Sequence, residues 1–408
     1  MFDVRPIVPN EVDLFRSRLS RAFGGDIDPD DVEARERFDA TFELDRTLGV
    51  FQGDDLIGTG GAFSLQVSVP GGGRVPMGGT TVVSVQPTHR RQGALRALME
   101  RHLDDVAEHE EPVAGLWASE SSIYGRFGYG PATYSMKTEI DARSTTFRGQ
   151  DDKGAVRLLE PAEAEASIKT VYEEARSRRA GMISRSEAWW KYRVMADSAS
   201  RRGSRSSLRY AVFQEDGETT GYATYRQKEH WEDFVSNGEV EVTEIITTTD
   251  EALSGLWSFL SNIDLFPDVE WWNTPVDDPL IHMVTDPRRV RRSVKDALWI
   301  RIMDVPAALT SRGYESDGVV TFEVADSTRP GTAGTYRLDC SEGAGACQRV
   351  GDGAEISMDI DVLGHLYLGG GSALGMAASG RIEGDPAAIR TLHRLFRADR
   401  APWCPEIF

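Results

Sequence analysis

The stretch VVSVQPTHRRQGALRAL, residues 82–98, changes from strand-like to helix-like character within a few positions. The β-branched residues before Pro87 favour a strand, which must end near the proline because proline has no backbone N–H to donate. From Gly93 onward, apolar residues recur at helical spacing and predict one buried helix face: Leu95, Leu98, Met99, Leu103 and Val106. The stretch therefore predicts a strand, a turn and a helix.

The turn between that strand and helix is basic. Arg90 and Arg91 stand just before the first backbone N–H groups of the helix, which lack intrahelical partners and carry the positive end of the helix dipole. Gly93 has no side chain and lets a ligand approach the backbone closely. A strand, a basic turn and a helix in this order predict a binding site for a pyrophosphate.

Charge and cysteine content limit the classes of function. The net charge of −19 argues against nucleic acid and anionic membranes as partners, since both need a basic face. Solubility is the simplest explanation of this charge, and a cationic substrate is the alternative. The three cysteines form no C-x-x-C pair, which predicts buried thiols in a reducing compartment and no metal site. The N-terminus carries acids where a signal peptide needs an apolar run, so we expect a cytoplasmic protein.

A weak internal repeat divides the chain. GVFQGDDLIGTG at 49–60 resembles AVFQEDGETTGYA at 211–223, and a strand and a helix are predicted after each copy. The second copy has no Arg-Arg-x-Gly, which predicts a domain of similar fold without a phosphate-binding turn. The fold class expected is α/β (α+β), with domains at residues 1–145, 146–296 and 297–408.

The motifs resemble those of a known family. VSVQPTHRRQGALRALM is similar to the acetyl-CoA signature of the GNAT N-acetyltransferases, an Arg/Gln-x-x-Gly-x-Gly/Ala turn, with Leu95 where the motif has a small residue. WASESSIYGRFGYGPAT, the degenerate second copy and the aromatic C-terminus resemble the Eis (enhanced intracellular survival) acetyltransferases. The resemblance implies two tandem GNAT-like domains, a sterol-carrier-protein-like C-terminal domain and assembly as a homohexamer.

The resemblance also implies a site for the donor, acetyl-CoA, and no metal. In GNAT enzymes the strand before the turn pairs with the pantetheine arm, and the N–H groups of the turn hold the pyrophosphate. The implied acetyl-CoA contacts are Val83, Ser84, Val85, Arg90, Arg91, Gln92, Gly93, Ala94, Leu95, Arg96, Ser119 and Glu120.

Catalytic roles follow from the same resemblance. Tyr124 aligns with the general acid of the family, and a phenol suits a thiolate leaving group. Tyr129 is a nearby competitor, which is more readily explained as a packed aromatic residue. The base in Eis-like enzymes is the α-carboxylate of the last residue, here Phe408.

Acidic residues are the candidates for substrate contacts. Asp26 aligns best with a family substrate contact, and Asp28 lies in the same loop. Glu406 lies two residues before the C-terminus and is the other candidate. The implied acceptors are multi-amine molecules such as aminoglycosides, or lysine side chains of peptides. Two alternatives stay open: an acyltransferase that uses a longer acyl-CoA, and a non-catalytic protein that binds a lipid or a partner.

Overall fold

The structure, a computed structural model of the 408-residue chain, describes residues 2–28, 31–148 and 154–408. The strands in chain order are β1 Asp3–Pro6, β2 Thr47–Gln52, β3 Asp55–Ser68, β4 Arg74–Val85, β5 Val113–Trp117, β6 Gly130–Pro131, β7 Tyr134–Asp141, β8 Ala155–Leu159, β9 Arg209–Glu215, β10 Glu218–Lys228, β11 Trp231–Glu232, β12 Val235–Ser236, β13 Glu239–Thr247, β14 Asp268–Pro275, β15 Val290–Asp296, β16 Leu298–Ile302, β17 Gly318–Ala325, β18 Gly334–Ser341, β19 Ala344–Val350, β20 Ile356–Asp359 and β21 Ile382–Gly384. The helices are α1 Val12–Ala22, α2 Val32–Thr41, α3 Ala94–Glu108, α4 Ser121–Tyr124, α5 Pro161–Arg178, α6 Glu187–Trp189, α7 Ala199–Arg202, α8 Asp250–Ser261, α9 Leu280–Met283, α10 Val305–Thr310, α11 Ile360–Tyr367, α12 Ala373–Ala378 and α13 Pro386–Phe396.

Spatial contacts divide the chain into two compact units. The first combines Met1–Thr133, Ala180–Arg193 and Ala297–Phe408, and the second combines Tyr134–Arg179 and Val194–Asp296. The units do not follow chain order, because segments far apart in sequence share sheets. The domain boundaries expected after residues 145 and 296 stay predictions.

The first unit contains a seven-stranded sheet in the order β1-β2-β3-β4-β5-β16-β6. Strand β16 comes from the C-terminal third of the chain and pairs antiparallel with β5, from Leu298 opposite Trp117 to Ile302 opposite Val113. Helix α3 packs on this sheet, and its buried side chains include Leu98, Met99, Leu103 and Val106. The predicted strand, turn and helix are confirmed over this stretch, with the helix beginning at Ala94.

The same unit holds a second, five-stranded sheet in the order β19-β18-β17-β20-β21. Helices α10, α11 and α13 contact its strands. Helix α13 begins as its sequence predicts: the Asp385 carboxylate accepts the Ala388 N–H at 2.8 Å, and Pro386 occupies the first turn. The C-terminal segment therefore forms an α+β layer built on its own sheet.

The second unit contains a seven-stranded sheet in the order β15-β7-β14-β13-β10-β9-β8. Strands β9, β10 and β13 followed by helix α8 repeat the order of β2, β3, β4 and α3, as the internal repeat predicts. The N-terminus of α8 differs from that of α3. Its first turn carries Asp250 and Glu251, and the Thr249 hydroxyl caps the Ala252 N–H at 3.2 Å. Acidic side chains here oppose the binding of an anion.

No helix in the described parts of the chain is both long and apolar enough to cross a membrane.

Candidate functional site

The site begins where two neighbouring strands of the first sheet separate. Strands β4 and β5 are paired in parallel from Met77 opposite Val113 to Gly79 opposite Gly115. Beyond Gly79 the two strands continue with no further pairing between them among the described residues. The edge of β4 that faces the gap therefore offers backbone groups to a ligand.

A distortion in β4 marks this separation. Val82 adopts a φ of +50°, a left-handed conformation that is costly for a β-branched residue, beside an irregularity in the β3–β4 register. The Thr59 hydroxyl donates to the Val82 carbonyl at 2.7 Å and lies 2.7 Å from the Ser84 hydroxyl. These contacts hold the end of β4 against β3 and leave its opposite edge facing the gap.

A cavity of about 900 Å³ lies at the gap. Its lining includes most of the predicted acetyl-CoA contacts: Val83, Ser84, Val85, Arg90, Arg91, Gly93, Leu95, Arg96, Ser119 and Glu120. Tyr124 lines the same cavity. Two predicted contacts lie outside this lining: Gln92 donates its side-chain amide to the Thr88 carbonyl at 3.1 Å, and Ala94 is buried beside Leu98.

The turn from β4 to α3 forms the basic wall of the cavity. Arg91 and Gly93 have φ values of +62° and +93°, and a side chain at Gly93 would meet no atom within 4 Å, so conformation rather than space favours glycine. The first helical hydrogen bond runs from the Ala97 N–H to the Gly93 carbonyl at 3.0 Å. The backbone N–H groups before Ala97 lie at the positive end of the helix dipole. Together with the guanidinium groups of the turn, they give the wall a positive potential that suits a pyrophosphate.

Leu95 agrees with the sequence prediction in part. Periodicity places it on the buried face of α3, whereas the structure has Leu95 partly exposed on the cavity and Ala94 buried in the core. Leu95 also packs against the core cluster that contains Met99 and Leu103, so it lies at the border between the core and the cavity.

Tyr124 stands on the opposite wall, at the end of the short helix α4. Burial raises the pKa of the Tyr124 phenol, and a hydrogen bond with Ser119 offsets part of that shift. The phenol therefore stays protonated across the neutral range, as a proton donor must. Its ring packs edge-on against Tyr129, with the ring centroids 6.2 Å apart.

Tyr129 has a different environment from Tyr124. It is fully buried, does not line the cavity, and has its hydroxyl 2.8 Å from the Thr80 hydroxyl, which lies 2.7 Å from His102 Nε2. Burial raises the pKa of Tyr129 strongly and lowers the pKa of His102 to about 3. The geometry thus assigns Tyr129 to a neutral buried network and leaves Tyr124 facing the ligand space.

The chain ends beside the separation of β4 and β5. The Phe408 ring packs so closely on Gly79 that a Cβ there would lie 3.2 Å from a ring carbon, and Leu65 closes the other side. A small residue at position 79 thus allows the last residue of the chain to reach the point where strand pairing stops. Phe408 does not line the donor cavity, and the approach of its carboxylate to the donor stays a prediction.

Glu406 has a structural environment that the sequence does not predict. Its buried carboxylate forms an ion pair with Arg185 and accepts the Trp189 indole N–H at 3.1 Å. Both partners lie in the segment Ala180–Arg193. Glu406 does not line the donor cavity, and its contacts anchor the C-terminus. Its predicted contact with the substrate stays a prediction.

The acidic loop after α1 places Asp26 and Asp28 on the surface, and neither lines the cavity. The neighbouring Phe23 does line it. Helix α1 ends at Ala22, just before Phe23, and Phe23 is 62% exposed.

Further cavity residues were missed by sequence reasoning. They come from the turn, helix α3, the wall after α4 and the segment after β17: His89, Glu100, Ile123, Arg126, Phe127, Ser327 and Thr328. Arg126 and Phe127 lie within WASESSIYGRFGYGPAT beside Tyr124, and this proximity in sequence is the signal that points to them. Ser327 and Thr328 carry no signal, because their proximity depends on a pairing of segments about 200 positions apart.

Among the described residues, no group of three or more His, Cys, Asp or Glu side chains is placed to hold a metal ion.

Comparisons with known proteins agree with this architecture. Family profiles described as acetyltransferase (GNAT) domains match residues 3–132 and 181–302, and a sterol carrier protein domain matches residues 305–405. The chain is 39% identical to an uncharacterised N-acetyltransferase of Streptomyces avermitilis, over 100% of this chain and 99% of the relative. It is 35% identical to the N-acetyltransferase Eis of Mycobacterium tuberculosis, over 86% of this chain and 85% of that protein.

Solved structures show the same fold. The crystal structure of Eis1 from Mycobacterium abscessus superposes with a TM-score of 0.86 at 33% identity, covering 100% of both chains. A GCN5-related N-acetyltransferase from Anabaena variabilis superposes with a TM-score of 0.87 at 20% identity, again over 100% of both chains, and shows the fold alone. The predicted fold class, two GNAT domains followed by a sterol-carrier-like domain, is confirmed.

Proposed function

Because the chain belongs to the Eis family of GNAT N-acetyltransferases, we propose that it transfers the acetyl group of acetyl-CoA to a primary amine of a multi-amine acceptor. Acceptors of this class are aminoglycoside-like molecules or the lysine side chains of peptides, and the net charge of −19 favours a cationic partner.

One observation carries the proposal: a basic turn, a buried phenol and the end of the chain surround the same strand separation. The turn from Arg90 to Arg96 and the Tyr124 wall line one cavity, and Phe408 packs on Gly79, the last residue of β4 that pairs with β5. Such an arrangement holds a thioester beside an amine, which converts a bimolecular encounter into a positioned reaction.

In the proposed mechanism the neutral amine attacks the thioester carbonyl directly. A C–N bond forms as the C–S bond breaks, and the amine proton passes through a water molecule to the Phe408 carboxylate. Tyr124 donates its phenolic proton to the departing sulfur, so the products are the acetylated amine and free CoA thiol. Solvent then returns the two groups to their starting protonation states.

Release of CoA thiol from acetyl-CoA with a panel of polyamines and aminoglycosides tests the proposal. Tyr124→Phe and a variant with one residue added after Phe408 should each lower kcat by about 100-fold, the usual scale of a lost general acid or base. Tyr129→Phe is the matched control, since its hydroxyl faces the Thr80 network, and it should retain turnover.

Full activity in both the Tyr124 and the extended variant would remove the proposed acid and base. A wild-type protein that turns over no amine would contradict the substrate class. A series of acyl-CoA donors of increasing length tests whether acetyl is the preferred group.

Assembly as a homohexamer and a cytoplasmic location are also proposals that follow from the family resemblance. Light scattering on the purified protein and fractionation of the producing cells test them directly.

A further inference from the structure

A short segment after β17 contacts both walls of the donor cavity. This segment, residues 326–329 and here named the strap, belongs to the part of the chain matched by the sterol carrier protein family. Ser327 and Thr328 line the cavity, although the rest of that lining comes from residues 22–127. The strap thus places C-terminal residues directly on the site where a GNAT domain binds its donor.

Asp326 fixes the conformation of the strap. Its Oδ1 accepts the N–H groups of Thr328 at 3.1 Å and Arg329 at 3.0 Å, which closes a tight turn. Its Oδ2 accepts from Arg301 Nη2 at 2.7 Å in an ion pair whose side chains are 0% and 1% exposed. A buried pair of this kind is rigid, because separating the charges would leave each one without compensation.

Arg301 links this turn to the wall that carries Tyr124. It lies on β16 in the first sheet, and a Cβ on Gly128 would lie 1.8 Å from Arg301 Nη1. Gly128 ends the turn that follows Tyr124 and has a φ of +83°. Glycine at this position lets the turn pack directly against the guanidinium group. The Arg301–Asp326 pair therefore supports the wall that carries Tyr124.

The strap then bonds to each wall separately. The Thr328 hydroxyl donates to the Arg126 carbonyl at 3.0 Å, on the Tyr124 wall. Arg329 Nη1 donates to Asp104 Oδ1 at 2.6 Å, on helix α3 one turn after Glu100, which lines the cavity. Two adjacent residues of the strap therefore connect the two walls across the cavity.

We propose that the strap sets the width of the donor cavity, with Thr328 and Arg329 as positioning residues for acyl-CoA binding. The C-terminal domain would then serve the donor site through this segment as well as through the terminal carboxylate. This inference rests on the proposed donor site. It makes donor affinity, measured without any acceptor, depend on side chains about 230 positions away from the pyrophosphate turn.

Calorimetric titration of the full chain with CoA tests the strap. Thr328→Val keeps the shape of the side chain and removes its hydrogen bond, so CoA should bind about two- to tenfold more weakly, the range for one such bond. Arg329→Gln breaks a more exposed ion pair and should weaken binding about twofold or less. The double variant should weaken it by at least the product of the two. Thr335→Val, on β18 outside the cavity lining, is the matched control.

The outcomes separate the strap from the function it rests on. A wild-type chain that does not bind CoA contradicts the proposed donor site itself. If the wild-type chain binds CoA and a folded Thr328→Val chain binds it equally well, the proposed role of the strap is wrong. Equal weakening by Thr328→Val and Thr335→Val also overturns it, because loss of affinity would then reflect general loosening of the domain. Melting temperatures of all variants report whether each is folded.

Discussion

Replacing Glu406 with glutamine should detach the C-terminus while leaving the donor site intact. The carboxylate forms a buried ion pair with Arg185 and accepts the Trp189 indole N–H. Removing one charge of a buried pair costs about 3–5 kcal/mol. The amide of glutamine also has one acceptor oxygen for two facing donors, so one of these contacts is lost or replaced by an unfavourable approach of two donors.

This loss of free energy weakens the docking of the C-terminal segment, which carries the proposed base, Phe408. Other contacts that hold the tail are the Trp403 N–H to the Ala180 carbonyl at 2.9 Å and the buried Cys404. A loss of about 3 kcal/mol raises the open fraction of the tail by roughly 150-fold if these contacts do not compensate. Partial compensation by these contacts lowers that factor. Release of Phe408 by a carboxypeptidase follows the open fraction and should rise by at least about tenfold, whereas kcat/KM for the amine follows the closed fraction and should fall.

The assay separates detachment of the tail from unfolding of the domain. Steady-state rates with acetyl-CoA and a polyamine give kcat/KM, and calorimetry gives the CoA affinity, which should not change because Glu406 does not line the cavity. Digestion with a carboxypeptidase measures release of the terminal Phe408, which should be faster in Glu406→Gln. Trp189→Phe removes one hydrogen bond and should give a smaller effect in the same direction.

Glu383→Gln on the exposed face of β21 is the control for a changed charge, and it should behave as the wild type does. If Glu406→Gln is folded, keeps its kcat/KM and releases Phe408 no faster than the control, then Glu406 does not hold the tail, and the argument from its buried contacts is wrong.

Three further predictions concern stability and ligand number. Burial raises the pKa of Asp278 to about 6 in the folded chain. A raised carboxyl pKa means that its folded form binds the proton more tightly, so stability is present at acid pH and lost as pH rises through about 6. Asp278→Asn has one acceptor oxygen for the Leu280 N–H and the Trp257 indole N–H, a cost that does not depend on pH. The stability of Asp278→Asn relative to the wild type should therefore rise between pH 4 and pH 8, by at most about 3 kcal/mol; a difference independent of pH contradicts this. Arg312 is buried and donates to the carbonyls of Tyr367 at 2.7 Å and Phe396 at 3.4 Å, the last residues of α11 and α13. Arg312→Met should lower the unfolding free energy by about 2–5 kcal/mol in urea titration, because two helix ends lose their donor, and an unchanged midpoint would exclude this capping role. Calorimetry should give one CoA per chain, since α8 presents acids where α3 presents arginines, and a second CoA would contradict that contrast.

Local patterns predict the donor side of the site well. A proline that ends a strand, a glycine with positive φ and an apolar stripe on a helix are each set by neighbouring residues, so the turn at Arg90–Gly93 can be read directly from the sequence. The partial exposure of Leu95 on the cavity does not follow from these patterns. Periodicity identifies apolar positions, but it does not distinguish a residue that faces the core from one that faces a cavity at the first turn.

The parts that the sequence does not predict depend on distant pairings. Strand β16 joins the first sheet about 180 residues after its partner β5. The contacts of Glu406 with Arg185, and of Asp326 with Arg301, follow from that assembly and from no motif in either segment. Each residue would be read as a surface acid or base from composition alone, since most charged residues are exposed.

These distant pairings bring segments that lie outside the first GNAT domain to the proposed site. The first GNAT domain supplies Tyr124 and most of the cavity lining. Among the described residues, its strands β4 and β5 do not pair with each other beyond Gly79, which leaves a gap between them. The C-terminal part supplies Phe408 at the inner end of the gap and the strap at its walls. Because Glu406 holds the first and Asp326 holds the second through separate buried ion pairs, changes at the two positions should affect different parameters. Loss of the Glu406 pair should lower turnover at constant CoA affinity, and loss of strap contacts should lower CoA affinity first. If either change alone lowered both turnover and CoA affinity, the C-terminus and the strap would move as one element.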